Sequence, residues 1–289
     1  MQRNVIRLIR VHQWAKNLLL FAALLFAQRL SDQDSLYLTI LGFIAFSCAA
    51  SATYVVNDIV DITRDRLHPV KKYRPLAAGV ISTRQAWIIA GVLFVVSVGT
   101  ALLVSPQFFA ILMVYLILTT SYTKVLKHIE LVDILIVSLG FVIRAVAGGV
   151  AIGVTISNWL FITTFFLALF LVIGKRRHEF LLLGDSASGT RKSLQNYTPQ
   201  LLDTLLTIVS TASLLSYVLY TQAPDVVNRL GTSALVYTVP LVVYGLFRYL
   251  LLVYTDNKGE DPTRTLLTDK QIILTALLWG LSIIVIIYT

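Results

Sequence analysis

Nine apolar runs divide the chain, at 17–30, 36–57, 86–104, 107–121, 131–153, 157–174, 201–220, 234–255 and 271–288, with polar or charged residues between them. Most approach the ~20 residues that carry an α-helix across the hydrocarbon core of a bilayer. The pattern predicts an all-α integral membrane protein of nine transmembrane helices. The first and fourth runs are short, and the second and third leave room for extension or tilt. Residues 1–289 read as one domain.

Composition agrees with the pattern. With 57% hydrophobic and 13% charged residues and a mean hydropathy of +0.79, the chain lacks the polar surface that a soluble globule of this length needs. Charge then orients it. Segments 1–16, 58–85, 122–130, 175–200 and 256–270 hold 4, 6, 2, 5 and 3 of the 24 lysines and arginines, whereas the opposite loops hold only Arg29 and Arg229. By the positive-inside rule this places the N-terminus and the charged loops in the cytoplasm and the C-terminus outside, in a multi-pass plasma (inner) membrane protein. The net charge of +9 follows from that asymmetry, so nucleic acid is not called for; anionic lipids and substrates are favoured. The first run follows four basic residues without a small-residue cleavage site, so it reads as a span and not a cleaved leader. The single cysteine, Cys48, reads as packing, and His12, His68, His128 and His178 lack metal-ligand spacing. No Gly-rich phosphate loop is present.

The chemistry concentrates in residues 57–75, NDIVDITRDRLHPVKKYRP. At ~100° per residue, Tyr54, Asn57, Asp61 and Asp65 share about a third of a helix circumference, with Asp58 at its edge. Such a face offers oxygen ligands in the number Mg2+ takes from protein, with phosphates and water completing the shell. Pro69 and Pro75 stop the helix, which puts Lys71, Lys72 and Arg74 on a loop. Alone, an acidic helix end beside a basic loop also describes a self-neutralising connector; its place between two spans turns the reading toward a metal-bound polyphosphate.

Other cytoplasmic ends carry related groups. Arg10, Gln13 and Asn17 share a helical face with Lys16 nearby and Trp14 at the interface, and Tyr122, Lys124 and Lys127 precede Asp133; both sets also fit ordinary positive-inside anchors. Arg144 lies about eleven residues into the fifth run. Its insertion costs at least ~2.5–3.5 kcal/mol, so it requires an acid on another helix or a bound phosphate, and Gly140, Gly148 and Gly149 around it permit close helix packing. Lys175 and Glu179 sit one turn apart, either a plain i,i+4 pair or part of a site.

NDxxDxxxD followed by HPxKxxRPxAAG resembles the first aspartate-rich signature of the UbiA-type intramembrane prenyltransferase superfamily, whose fold is nine transmembrane helices around a central cavity, here opening to the cytoplasm. Most members carry a second, DxxxD-like motif after the sixth helix, where this chain has Lys175 and Glu179. HQWAKN at 12–17, LKH at 126–128, IRAVAGGVA at 143–151, GKRRHE at 174–179 and RKSLQNYT at 191–198 make it similar to the decaprenyl-phosphate phosphoribosyltransferase branch. That resemblance implies Mg2+-dependent transfer of 5-phosphoribose from phosphoribosyl pyrophosphate to a polyprenyl phosphate, with release of pyrophosphate, for the lipid-linked arabinose donors of cell-wall polymers. It implies metal ligation by Asn57, Asp61, Asp58 and Asp65, and catalytic roles for Asn57, Asp61, Asp65 and Lys175. Substrate binding falls to Lys16, Tyr54, Lys71, Arg74, Lys127, Arg144 and Glu179. A prenyltransferase using an aromatic or other small acceptor is the alternative, a membrane transporter the alternative of another class, and homo-oligomer formation is left open.

Overall fold

The computed structural model describes residues 2–67, 71–183, 196–255 and 262–289. Eight helices among them are long and apolar enough to cross a membrane. They are α3 (Gln33–Val60), α5 (Thr83–Val104), α6 (Pro106–Lys124), α7 (Val132–Ala151), α8 (Asn158–Leu183), α9 (Pro199–Gln222), α11 (Val239–Thr255, entered through a 3-10 turn Ala234–Thr238) and α13 (Lys270–Tyr288). Shorter pieces join them: α1 (Gln2–Ile9), α2 (Leu20–Phe26), α4 (Ile62–Leu67), α10 (Pro224–Leu230) and α12 (Pro262–Thr268).

The first predicted span differs from the rest. The apolar helix there is Val11–Phe26, and its first nine residues, Val11–Leu19, are 3-10 helix before α2 begins. Arg10, in the left-handed region at φ 54°, separates this segment from α1. Arg10 and Asn17 therefore do not share one continuous helical face, contrary to the expectation from spacing.

Helix starts are written locally. Asp32 caps α3, Ser105 and Thr198 cap α6 and α9 with Pro106 and Pro199 in the first turn, Asp269 caps α13, and Ser82 with Gln85 forms a reciprocal capping box on α5. Each cap satisfies backbone donors that the first turn leaves unpaired. The acidic segment ends with α4 at Leu67, well before Pro75, while Pro69 lies outside the described residues; Lys71 and Lys72, expected on a loop, form a 3-10 turn, Lys71–Tyr73, ahead of Arg74.

Successive long helices pack on their neighbours from α3 through α9, and α11 packs on α13. The last helix returns to the first segment, because Phe26 of α2 shares a buried cluster with Tyr217 and Tyr220 of α9 and Ile283 and Ile287 of α13. A second cluster joins α2, α3, α6 and α7 through Leu20, Phe46, Phe108 and Ala147. Glycine is required at one crossing: a Cβ on Gly148 would lie 2.1 Å from the Leu20 carbonyl oxygen, so α7 can meet the start of α2 only without a side chain there. Cys48 is buried on α3, as its packing role requires.

Candidate active site

One polar stripe of α3 is stitched to the N-terminal segment. Asn17 Nδ2 donates to Ser47 Oγ at 2.9 Å, Trp14 Nε1 to Ser51 Oγ at 2.9 Å, and Arg10 Nη2 to Asp58 Oδ1 at 2.6 Å, while the Arg10 guanidinium lies 4.7 Å from the Tyr54 ring centroid. Residues 47, 51, 54 and 58 follow helical spacing, and the opposing chain contacts them in reverse order. Lys16, in the same stretch, stands 5.9 Å from the Phe141 ring.

The acidic face departs from the expected single row. α3 ends at Val60, Asp61 occupies its C-cap, and α4 carries Asp65 onward. Asp58 and Asp65 are both buried, and both accept from Arg74 Nη1, at 3.0 and 2.7 Å. Asp58, expected at the edge of the face, is thus central to a clasp of two arginines, because the 71–82 loop and residue 10 bring counter-charges to it. Asn57 faces elsewhere: its amide nitrogen donates to Thr123 Oγ1 at the end of α6, at 3.4 Å, which leaves the carbonyl oxygen as its acceptor. Asp61 is half-buried one turn on, its backbone N–H bonded to the Asn57 carbonyl at 2.9 Å. Lys71 stands in the field of Asp61 and Asp65. Although its side chain is largely exposed, protein atoms crowd the ammonium, and desolvation first and Arg74 next hold its pKa below the ordinary lysine value of 10.5.

Arg144 is buried in α7 with neutral partners. Its guanidinium donates to Asn17 Oδ1 at 2.6 Å, to the Gly140 carbonyl at 2.6 Å and to Tyr115 Oη at 2.8 Å, and lies 4.7 Å from the Tyr115 ring. These acceptors engage three of its five N–H donors, one on each nitrogen, without cancelling its charge.

A third group surrounds Arg176. This residue is 3% exposed and donates to Asp133 Oδ2 at 2.8 Å, Glu179 Oε2 at 2.5 Å and Tyr122 Oη at 3.1 Å. Tyr197 Oη donates to Asp133 and accepts from the Leu131 N–H, and burial pushes its pKa up to about 12. Lys175 does pair with Glu179, at 3.8 Å, but the shorter contact of Glu179 is to Arg176. Lys127 lies on a 3-10 turn, Leu126–His128, just beyond α6. Adjacent residues of α6, Tyr122 and Thr123, connect this group to Asn57. No three Asp, Glu, His or Cys side chains gather into a metal cage among the described residues. A carboxamide oxygen and a carboxylate one turn apart instead fit an ion that takes most of its shell from phosphates and water.

The pattern of the UbiA prenyltransferase family matches residues 18–279. The chain belongs to this family. Within the UbiA family it is similar to decaprenyl-phosphate phosphoribosyltransferase of Mycobacterium tuberculosis, with 37% identity over 96% of this chain and 91% of that protein. The protein of the same name from Corynebacterium glutamicum is 35% identical over 99% of this chain and 87% of its own length. The fold matches a UbiA homolog from Archaeoglobus fulgidus, solved bound to GPP and Mg2+, with a TM-score of 0.72, 21% identity and coverage of 98% of this chain and 99% of that one.

Around Lys175 and Glu179, where the resemblance implies a departure from a second acidic motif, the chain has an ion network centred on Arg176. Spacing alone did not single out Arg176 as its hub, because a run of three basic residues at a membrane edge reads as an anchor; the signal was Asp133, an acid at the start of an apolar run. Of the RKSLQNYT motif, Tyr197 reaches the network at Asp133; residues 191–195 lie outside the described residues.

Proposed function

We propose that this chain transfers 5-phosphoribose from phosphoribosyl pyrophosphate to a polyprenyl phosphate, releasing pyrophosphate. The observation that carries this reading is the similarity, along nearly the whole chain, to phosphoribosyltransferases of that lipid class. The site agrees in its charge: two oxygen ligands at one helix end, with Lys16, Lys71, Lys127, Arg144 and Lys175 on the elements around them.

Asn57 and Asp61 would hold Mg2+, which when bound neutralises charge building on the pyrophosphate leaving group. Asp58 and Asp65 assist by holding Arg74, and Lys71 and Arg74 reach the same phosphates from the loop. Tyr54, kept in place under Arg10, offers its hydroxyl to a phosphate oxygen. Lys16, Lys127, Lys175 and Arg144 take the 5-phosphate and the acceptor phosphate, with Glu179 orienting Lys175. The ribose C1 gains oxocarbenium character as its bond to pyrophosphate breaks, and a lipid phosphate oxygen attacks from the opposite face. That oxygen is already ionised near neutral pH, so positioning and electrostatics carry the catalysis and no strong base is needed.

The same reading makes the chain a single domain crossing the membrane nine times around a cavity open to the cytoplasm, with the N-terminus inside and the C-terminus outside. The short first segment supports the ninth crossing. At ~2.0 Å per residue in 3-10 helix and ~1.5 Å in α-helix, Val11–Phe26 rises roughly 28 Å, close to the bilayer core.

The test is purified protein in detergent with labelled phosphoribosyl pyrophosphate and a polyprenyl phosphate. Label should enter the lipid fraction only when Mg2+ is present. Consumption of a prenyl diphosphate with an aromatic acceptor, and no labelled lipid, overturns the assignment.

A further inference from the structure

The end of the molecule away from the carboxylates has its own cation pair. α3 is 28 residues long, so its first residue lies roughly 42 Å from its acidic end; the loop before that first residue contains Arg29, and the last turn of α10 contains Arg229. These two line one hollow of about 350 Å³ with Ser157 and Tyr220, over an apolar floor that includes Phe26 and Leu160. Among the described residues lining it, none is acidic; the nearest acid on Arg229's own helix, Asp225, is not in the lining, although its charge reaches Tyr220.

The hollow is held open by bonds that fix its walls. Gln28, in the left-handed region at φ 59°, donates to the carbonyls of Leu230 and Ile287, each at 3.4 Å, so the loop bearing Arg29 is tied beside Arg229. Arg29 Nη1 donates to the Ile152 carbonyl at 3.2 Å, which uses one of five guanidinium donors. The charge of Asp32 reaches Arg29, but that carboxylate accepts from Ser35 Oγ at 2.6 Å and caps α3. Tyr220 is the strongest indicator. It is 4% exposed, its ring packs 5.6 Å from Phe26, and its hydroxyl has no hydrogen-bond partner of ordinary geometry. The nearby Arg229 guanidinium can only donate, so the hydroxyl proton still lacks an acceptor.

We propose that this hollow binds the phosphate of an anionic lipid. A phosphate oxygen supplies the acceptor that Tyr220 lacks, two guanidiniums match its charge, and the apolar floor meets the first carbons of the tail. In the orientation proposed above this is the outer leaflet, where the scarcity of other cations makes the pair selective.

Native mass spectrometry of the full chain in detergent, with phosphatidylglycerol or phosphatidylcholine added, tests this separately from the transfer reaction. The unaltered protein should retain phosphatidylglycerol over phosphatidylcholine by about tenfold. Arg29→Gln with Arg229→Gln should abolish the preference, and Arg29→Lys with Arg229→Lys should keep part of it. Tyr220→Phe, which preserves the ring contact, should weaken retention severalfold at an unchanged melting temperature, and this variant decides if the glutamine pair fails to fold. Equal retention by the unaltered protein and these variants overturns the proposal. So does displacement of the lipid by millimolar inorganic phosphate, which would assign the hollow to a free anion.

Discussion

Asn57 and Asp61 are one turn apart, and the carboxamide is turned by its bond to Thr123 so that its oxygen is the group left to meet a cation. Asp61→Asn keeps the size and removes the charge. Transfer should fall by more than about 100-fold, and excess Mg2+ should restore little of it; near-normal turnover would remove Asp61 from the metal's shell. Lys71 makes a pH prediction. Its ammonium is held below the ordinary lysine value, so it deprotonates earlier as pH rises, and donor affinity should decline on the alkaline side. The same shift disfavours the charged form in the folded chain, so through Lys71 folding gains as pH rises past that value, while Tyr197, pushed up to about 12, acts in the opposite sense; a melting temperature followed over the same pH range separates loss of affinity from unfolding. Lys71→Arg stays charged throughout. If donor KM in this variant rises at alkaline pH as before, another group titrates.

At the scale of elements, two contacts set how helices meet. Gly148→Ala would push a methyl into the Leu20 carbonyl, and overpacking of this kind costs ~1–3 kcal/mol; a melting temperature unchanged in detergent would contradict the close α2–α7 crossing. Arg176 locks α7 to α8, and Arg176→Met leaves Asp133 buried without its counter-charge, a loss of ~3–5 kcal/mol, read by the same measurement. The boundaries of the eight long helices were legible in the sequence to within a few residues, or about nine at the end of α8, because length and hydropathy decide them. The 3-10 form of Val11–Leu19 was not, since its apolar content suits either helix. The site divides likewise. Asn57, Asp58, Asp61 and Asp65 were visible as a cluster, but α3 ends before Asp61, and the clasp of Asp58 and Asp65 on Arg74 depends on a loop path that periodicity does not encode. The neutral partners of Arg144 come from residues 17 and 115, and no local pattern joins positions so far apart.

For the molecule as a whole, the proposed orientation can be read with reagents that do not cross membranes. In a chain carrying Cys48→Ala, Thr289→Cys should react with an impermeant maleimide in intact cells and Asn4→Cys only after permeabilisation; the reverse order would invert the topology. Arg144 bears on how such a molecule is made. Its three acceptors, on Asn17, Tyr115 and Gly140, all precede it in the chain. A ribosome feeding this protein into the bilayer has delivered every one of them before the arginine emerges, so nascent α7 can dock on helices already inserted, and its charge need never wait in lipid for a segment not yet synthesised.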